Sequence, residues 1–170
     1  LDAQRDRRWH YRTVERVAGK RALVVGTGSI GRAIARMLAG AGMAVAGVGR
    51  TARDGDADFG HVHAISELDA LLVDADYVVL ITPLTDQTRG LFGAAQFQRM
   101  HAGARFINVG RGDLVDETAL GEALESGRIA GAAVDVFHHA SARVRAYLSD
   151  APTAAYDVTA HASITSNNTA

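Results

Sequence analysis

From Lys20 to Gly31 an apolar run breaks into glycines at positions 26, 28 and 31, the spacing G-x-G-x-x-G. Ala22 to Val25 reads as a buried parallel strand. Beyond the turn the apolar residues recur at helical spacing, as Ile30, Ile34, Met37 and Leu38, with Ala33 and Ala41 beside them. The order is strand, tight turn, helix. Gly26 permits the turn, Gly28 has no side chain to keep a pyrophosphate from the backbone, and Gly31 lets the helix sit close on the strand. A phosphate placed against Gly28, Ser29 and Ile30 would meet unpaired N–H groups and the positive end of the helix dipole. The spacing alone is a weak signal, and a plain strand-to-helix turn is its simpler reading. Between a strand and an amphipathic helix it points to dinucleotide binding.

The rest of the chain repeats this alternation. Met43 to Val48 supplies a second strand, Ser66 is placed to cap a helix through Val73, and Tyr77 to Ile81 is another buried strand. Phe92, Phe97 and Met100 suggest a short helix, and Arg105 to Val109 a further strand. Asp116 then caps a helix stopped by Gly127, and Ile129 to Phe137 makes the next strand. Residues 1–19 read as the end of a leading helix and a linker, with Trp9 as a packing anchor, and 138–170 as irregular apart from a short strand at 157–160. The pattern predicts one α/β domain, a doubly wound parallel sheet of Rossmann type. Ligands of such sheets bind outside the carboxyl ends of the strands, which puts Gly28, Arg50, Pro83, Arg111 and Asp135 on one rim.

Composition narrows the partners. A formal net charge of −1 gives no bulk attraction to nucleic acid or anionic lipid, and the chain has no cysteine for disulfide or thiolate chemistry. No apolar stretch approaches the roughly 20 residues that span a bilayer. The seven histidines fall at no metal-ligand spacing. These features lead us to expect a cytoplasmic protein without nucleic-acid, membrane or metal partners. The chain opens on Leu1, so it is expected to be a piece of a longer protein.

The end of the second strand discriminates between cofactors. A ribose without a 2′-phosphate is usually held there by an Asp or Glu about 20 residues past the glycines. Here Gly49 is followed by Arg50, Thr51 and Arg53. A carboxylate would repel a 2′-phosphate, whereas these side chains offer charge-assisted donors to one. NADP(H) is therefore favoured over NAD(H). Asp54 and Asp56 speak for the other cofactor, but they read as solvated residues of a Gly-rich loop.

Four segments, Gly26 to Gly31, Pro83 to Leu91, Ile107 to Glu117 and Gly131 to Phe137, together resemble the D-isomer-specific 2-hydroxyacid dehydrogenases. The third is the most specific. The resemblance covers only that family's nucleotide-binding domain, so the separate substrate domain is absent from this chain. It implies that Arg111 grips the carboxylate and carbonyl of a 2-oxo acid, a role for which a planar fork of donors flanked by glycines is suited. It further implies that Asp135 accepts a bond from the nicotinamide carboxamide, its alternative being a buried structural carboxylate. Thr82, Pro83, Val109 and Gly110 would line the cofactor. His161, in Thr159-Ala160-His161, would be the acid–base histidine, with Ala160 in place of the family's proline.

One departure stands out. The family has Glu-x-Glu-Pro directly after Asp-Val-Phe, the second Glu pairing with the histidine; this chain has His138-His139-Ala140-Ser141. Asp150 or Asp157 could replace the missing partner. The reading is then the coenzyme domain of an oxidoreductase moving hydride between NAD(P)H and a glyoxylate-, hydroxypyruvate- or pyruvate-like 2-oxo acid, expected as a homodimer. The alternative is a catalytically silent nucleotide-binding sensor or assembly module.

Overall fold

The computed structural model describes residues 15–135. The chain lays down β1 (Arg21–Val25), α1 (Ser29–Gly40), β2 (Ala44–Gly49), β3 (Arg53–Asp56), β4 (Gly60–Ala64), α2 (Leu68–Leu72), β5 (Tyr77–Leu80), α3 (Ala94–Arg99), β6 (Arg105–Asn108), α4 (Glu117–Glu125) and β7 (Gly131–Val134). Short 3-10 turns lie at Ile65–Glu67 and Gly112–Leu114. The strands form one sheet in the order β3-β4-β2-β1-β5-β6-β7. Every pair is parallel except β3 with β4.

The order explains the apolar runs. β1 is flanked by β2 and β5, so Ala22 to Val25 are covered on both faces and none is more than 2% exposed. On one face Leu23, Val25, Val78, Leu80 and Phe106 meet Leu68 and Leu72 of α2, Phe97 of α3 and Leu120 and Leu124 of α4. Phe106 lies at the centre of this layer, with its ring centroid 4.8 Å from Phe92 and 5.3 Å from Phe97. The other face receives α1. From β1 the chain winds outward through β2 to the β3–β4 edge, then returns to β5 and winds outward the opposite way. The point of reversal, between the carboxyl ends of β1 and β5, is where such a sheet opens a crevice.

Several expectations are revised. The helical stripe of α1 is rotated: Gly31 and Ala35 are the buried residues, Ile34 and Leu38 flank them, and Ile30 and Met37 are 60% and 76% exposed. The close approach at Gly31 sets this rotation. The Gly-rich stretch after β2 is a hairpin, with Gly55 and Gly60 at φ of +70° and +68° supplying the bends that strand propensity could not reveal. Ser66 does not cap α2; the Glu67 carboxylate accepts the Ala64 N–H at 2.9 Å instead. Glu15 to Gly19 are not helical but end in a turn, with Gly19 at φ +83°. Asp116 does cap α4, accepting from the N–H groups of Thr118 and Ala119 at 3.0 and 3.1 Å. Among the described residues no helix is long and apolar enough to cross a membrane. The expected helix before Glu15, Trp9, and everything past Asp135, including Phe137, Ala140 and the 157–160 strand, lie outside the described residues.

Candidate nucleotide site at the carboxyl rim of the sheet

The three glycines of the turn have three separate jobs. Gly26 sits at φ +119°, and a Cβ on it would stand 2.7 Å from the Ile81 carbonyl oxygen, so it serves the approach of β1 to the chain leaving β5 as well as the turn. A Cβ on Gly31 would lie 1.8 Å from the Gly26 carbonyl oxygen; this residue fits helix to strand. Gly28 is different, because a Cβ there would meet nothing within 4 Å. It caps α1 in extended conformation without a side-chain cap, and the first turn carries no acidic residue. The exposed N–H groups at Gly28, Ser29 and Ile30 are thus left for an anion.

Across the crevice, the hydroxyl of Thr82 is buried with no hydrogen-bond partner among the described residues. A buried orphan of this kind calls for an acceptor or donor from outside the described chain. Pro83 beside it is exposed, and Val109 is 36% exposed. The open backbone at Gly28, the uncapped helix and the orphan hydroxyl suit a dinucleotide laid across the β1–β5 crevice.

The Arg111 loop is built by Asn108, the sole buried polar residue in the described core, 1% exposed. Its Oδ1 accepts the Gly110 N–H at 3.0 Å and its Nδ2 donates to the Arg111 carbonyl at 3.0 Å, so one side-chain amide fixes both ends of the loop. A Cβ on Gly110 would strike Leu114 Cδ1 at 2.7 Å. From below, Phe92 N–H donates to the Leu114 carbonyl and Asp116 N–H to the Phe92 carbonyl, at 3.0 and 2.8 Å. The outcome is an exposed Arg111 whose guanidinium donates to the Gly110 carbonyl at 3.2 Å and keeps most of its five N–H donors available. Asp135 is exposed rather than a buried structural carboxylate; its N–H donates to the Asn108 carbonyl at 3.0 Å, so it stands one strand along the same rim.

The end of β2 carries the densest electrostatics. Arg50 and Thr51 are exposed, and Arg50 makes no hydrogen bond or ion pair among the described residues. Arg53 is tied: Nη2 donates to Thr27 Oγ1 at 3.0 Å and to Asp56 Oδ2 at 2.9 Å, and Nε to the same oxygen at 3.2 Å. Arg32 of α1 donates to both oxygens of Asp56, at 2.8 and 2.7 Å, and to Asp58 at 3.0 Å. Asp56 is therefore not a solvated loop residue. Its side chain is 2% exposed, and the paired guanidinium of Arg32, the Asp58 N–H and Arg53 hold its carboxyl well below the usual carboxylate range despite burial. Asp54 does remain in water, 91% exposed, and meets His61 at 2.6 Å.

A lowered carboxyl has a stability consequence. The Asp56 tie is fully present above the ordinary value of 3.8 and is lost as pH falls toward its lower folded value. Thermal melts at about pH 5 and about pH 3 should show a larger fall in midpoint for the wild type than for Asp56→Asn, because only the wild type has this carboxylate to protonate. Equal falls would show that the tie does not differ between folded and unfolded chains.

Of the predicted site residues, the structure brings Gly26, Gly28, Ser29, Ile30, Gly31, Arg50, Thr51, Arg53, Thr82, Pro83, Val109, Gly110, Arg111 and Asp135 to the carboxyl rim or its flank at β3. His161 lies outside the described residues. Sequence reasoning missed Thr27, Arg32, Asp56 and Asn108. Asn108 was legible in principle, as an amide ending an apolar strand before Gly110; Asp56 was not, because its arginine partners come from α1 and β3.

Comparison with known proteins bears on the family and the fold. The family model for the D-isomer specific 2-hydroxyacid dehydrogenase NAD binding domain matches residues 1–163. A glyoxylate/hydroxypyruvate reductase B of Enterobacter sp. (strain 638) is 46% identical over 122 residues, 71% of this chain and 37% of that protein. A D-isomer specific 2-hydroxyacid dehydrogenase of Xanthobacter autotrophicus Py2, solved with NADPH and MES, superimposes with a TM-score of 0.71 at 41% identity, covering 82% of this chain and 44% of that one. An NADPH-dependent glyoxylate/hydroxypyruvate reductase of Sinorhizobium meliloti, solved with NADP and sulfate, gives a TM-score of 0.72 at 31% identity over 82% of this chain and 45% of that one. The chain spans less than half the length of each of these relatives. With the family model matched over nearly the whole sequence and the superpositions over most of it, the chain belongs to the D-isomer specific 2-hydroxyacid dehydrogenases and is the NAD binding domain of that family.

Proposed function

We propose that this chain is the coenzyme domain of an NADP(H)-dependent reductase of small 2-oxo acids of the glyoxylate or hydroxypyruvate kind. The observation that carries the cofactor choice is the end of β2. Where a ribose-binding carboxylate would stand there is Gly49, and beside it an exposed Arg50 that is unpaired among the described residues. The relatives solved with NADPH or NADP support the same choice. The uncapped N-terminus of α1 would hold the pyrophosphate, and Thr82 with Asp135 would bracket the nicotinamide end.

The bound cofactor supplies the hydride. Arg111 would grip the substrate carboxylate through its free donors and polarise the carbonyl under reduction. His161 would give the proton to the developing alkoxide and take it back in the reverse direction. Ala140 leaves that histidine without the family's carboxylate, and Asp150 and Asp157 are its candidate replacements. The relatives' names as reductases favour this reading over a silent sensor or assembly module. A homodimer in the cytoplasm is the expected setting.

Calorimetric titration of the full-length protein tests the cofactor choice. NADPH should bind more tightly than NADH, and Arg50→Asp should cost about tenfold or more in NADPH affinity, since a charge-assisted bond of about 1.5–3 kcal/mol becomes a repulsion. Tighter NADH binding by the wild type would overturn it.

A further inference from the structure

We propose that Asp56 is a specificity-positioning residue: by holding Arg53 against Thr27 and over Gly49, it presets the subsite that distinguishes a 2′-phosphorylated adenosine from an unphosphorylated one. This rests on the NADP(H) reading above. A Cβ on Gly49 would stand 3.1 Å from Thr27 Oγ1, 3.1 Å from Val62 Cγ1 and 3.3 Å from Arg53 Nη1. The guanidinium of Arg53 thus lies over the strand end where the fold otherwise places a ribose-binding carboxylate. Absence of a side chain at 49 is what admits it.

The fork is divided between two tasks. Nε and Nη2 face Asp56 and Thr27, while Nη1, the nitrogen over Gly49, makes no hydrogen bond among the described residues and faces the same strand end as Arg50. A long side chain at the edge of a sheet would otherwise sample many rotamers, and ordering it on binding carries an entropic cost. Asp56 removes that cost in advance. It can do so because it is itself immobilised: it is buried, it takes two bonds from Arg32 on α1, and it accepts the Asp58 N–H at 3.1 Å. Together with Asp58, the same carboxylate neutralises Arg32 near the start of α1, so that this arginine does not compete for the ligand's phosphates. The β3–β4 hairpin is thereby braced to the glycine-turn helix by Asp56, with Asp58 adding bonds from Arg32 and Arg36 at 3.0 Å each.

The test measures the full-length protein's affinities for adenosine 2′,5′-bisphosphate and adenosine 5′-monophosphate, whose ratio isolates the 2′-phosphate. The wild type should favour the bisphosphate; if it shows no preference, the NADP(H) reading itself fails. Asp56→Asn should lower the ratio about tenfold, the scale expected for members of one hydrogen-bonded network. In an Arg53→Ala background the same replacement should leave the ratio unmoved, because Asp56 acts through Arg53. Thr27→Val, which removes the other anchor and keeps the side chain's size, should lower the ratio in the same direction and serves if Asp56→Asn folds poorly. A wild-type preference that survives both Asp56→Asn and Thr27→Val, or rises because the released arginines bind phosphate better, overturns the positioning role.

Discussion

Replacing Gly31 by alanine will unsettle the fold, whereas the same change at Gly28 will leave the fold intact and weaken only the ligand. The Cβ at position 31 would stand 1.8 Å from the Gly26 carbonyl oxygen and 3.0 Å from its carbon. Both are backbone atoms, so no rotamer change relieves the clash, and α1 must move off β1. Such a shift breaks the packing of Ala35 and disturbs the turn at Gly26 at once, at a cost of about 3–5 kcal/mol. In a chain of this length the melting temperature should fall by about 10 °C. Gly28 has φ −76°, which alanine adopts freely, and open space around its missing Cβ. Gly28→Ala should therefore melt with the wild type while losing about tenfold or more in NADPH affinity, because the methyl occupies the space a pyrophosphate needs. If both variants melted alike, the division of labour between the two glycines would be wrong.

The second large effect is expected at Arg111. Arg111→Ala in the full-length protein should lower kcat/KM for glyoxylate or hydroxypyruvate reduction by about 10²–10³, the loss typical of one donor aimed at a developing oxyanion. NADPH affinity should hardly change, since among the described residues the Arg111 side chain bonds only the Gly110 carbonyl, and its loop follows β6, with β5 between it and the glycine turn after β1. Arg111→Lys should recover little, because an ammonium cannot present the planar pair of donors that a carboxylate accepts. Near-full turnover in Arg111→Ala would remove the residue from the chemistry and favour a nucleotide-binding module without it.

How much of the fold was legible in the sequence depends on the range of the interactions involved. Strands β1 and β5 were legible within a residue because strands covered on both faces must be apolar throughout. The Asp116 cap and the Gly127 stop were legible because each acts on its own helix. Local signals failed where two elements share one decision. Apolar periodicity gives one stripe for α1, but the contact of Gly31 with Gly26 rotates the helix and leaves Ile30 and Met37 in water. Arg53 reads as a cofactor ligand and Asp56 as a loop residue, while in the fold one holds the other.

Near neighbours along the chain settle the alternation of elements, the glycine turn and the identity of the groups on the rim, so all three are present in the amino-acid order itself. Tertiary structure alone decided which of those groups are free and which are already engaged. Arg50 and Arg53 differ by only three positions, yet among the described residues one is unpaired and the other is fixed between Thr27 and Asp56. The reason is physical: a guanidinium's availability depends on carboxylates and hydroxyls brought to it by other strands and helices, and only the assembled sheet brings the ends of β1, β2 and β3 to one corner.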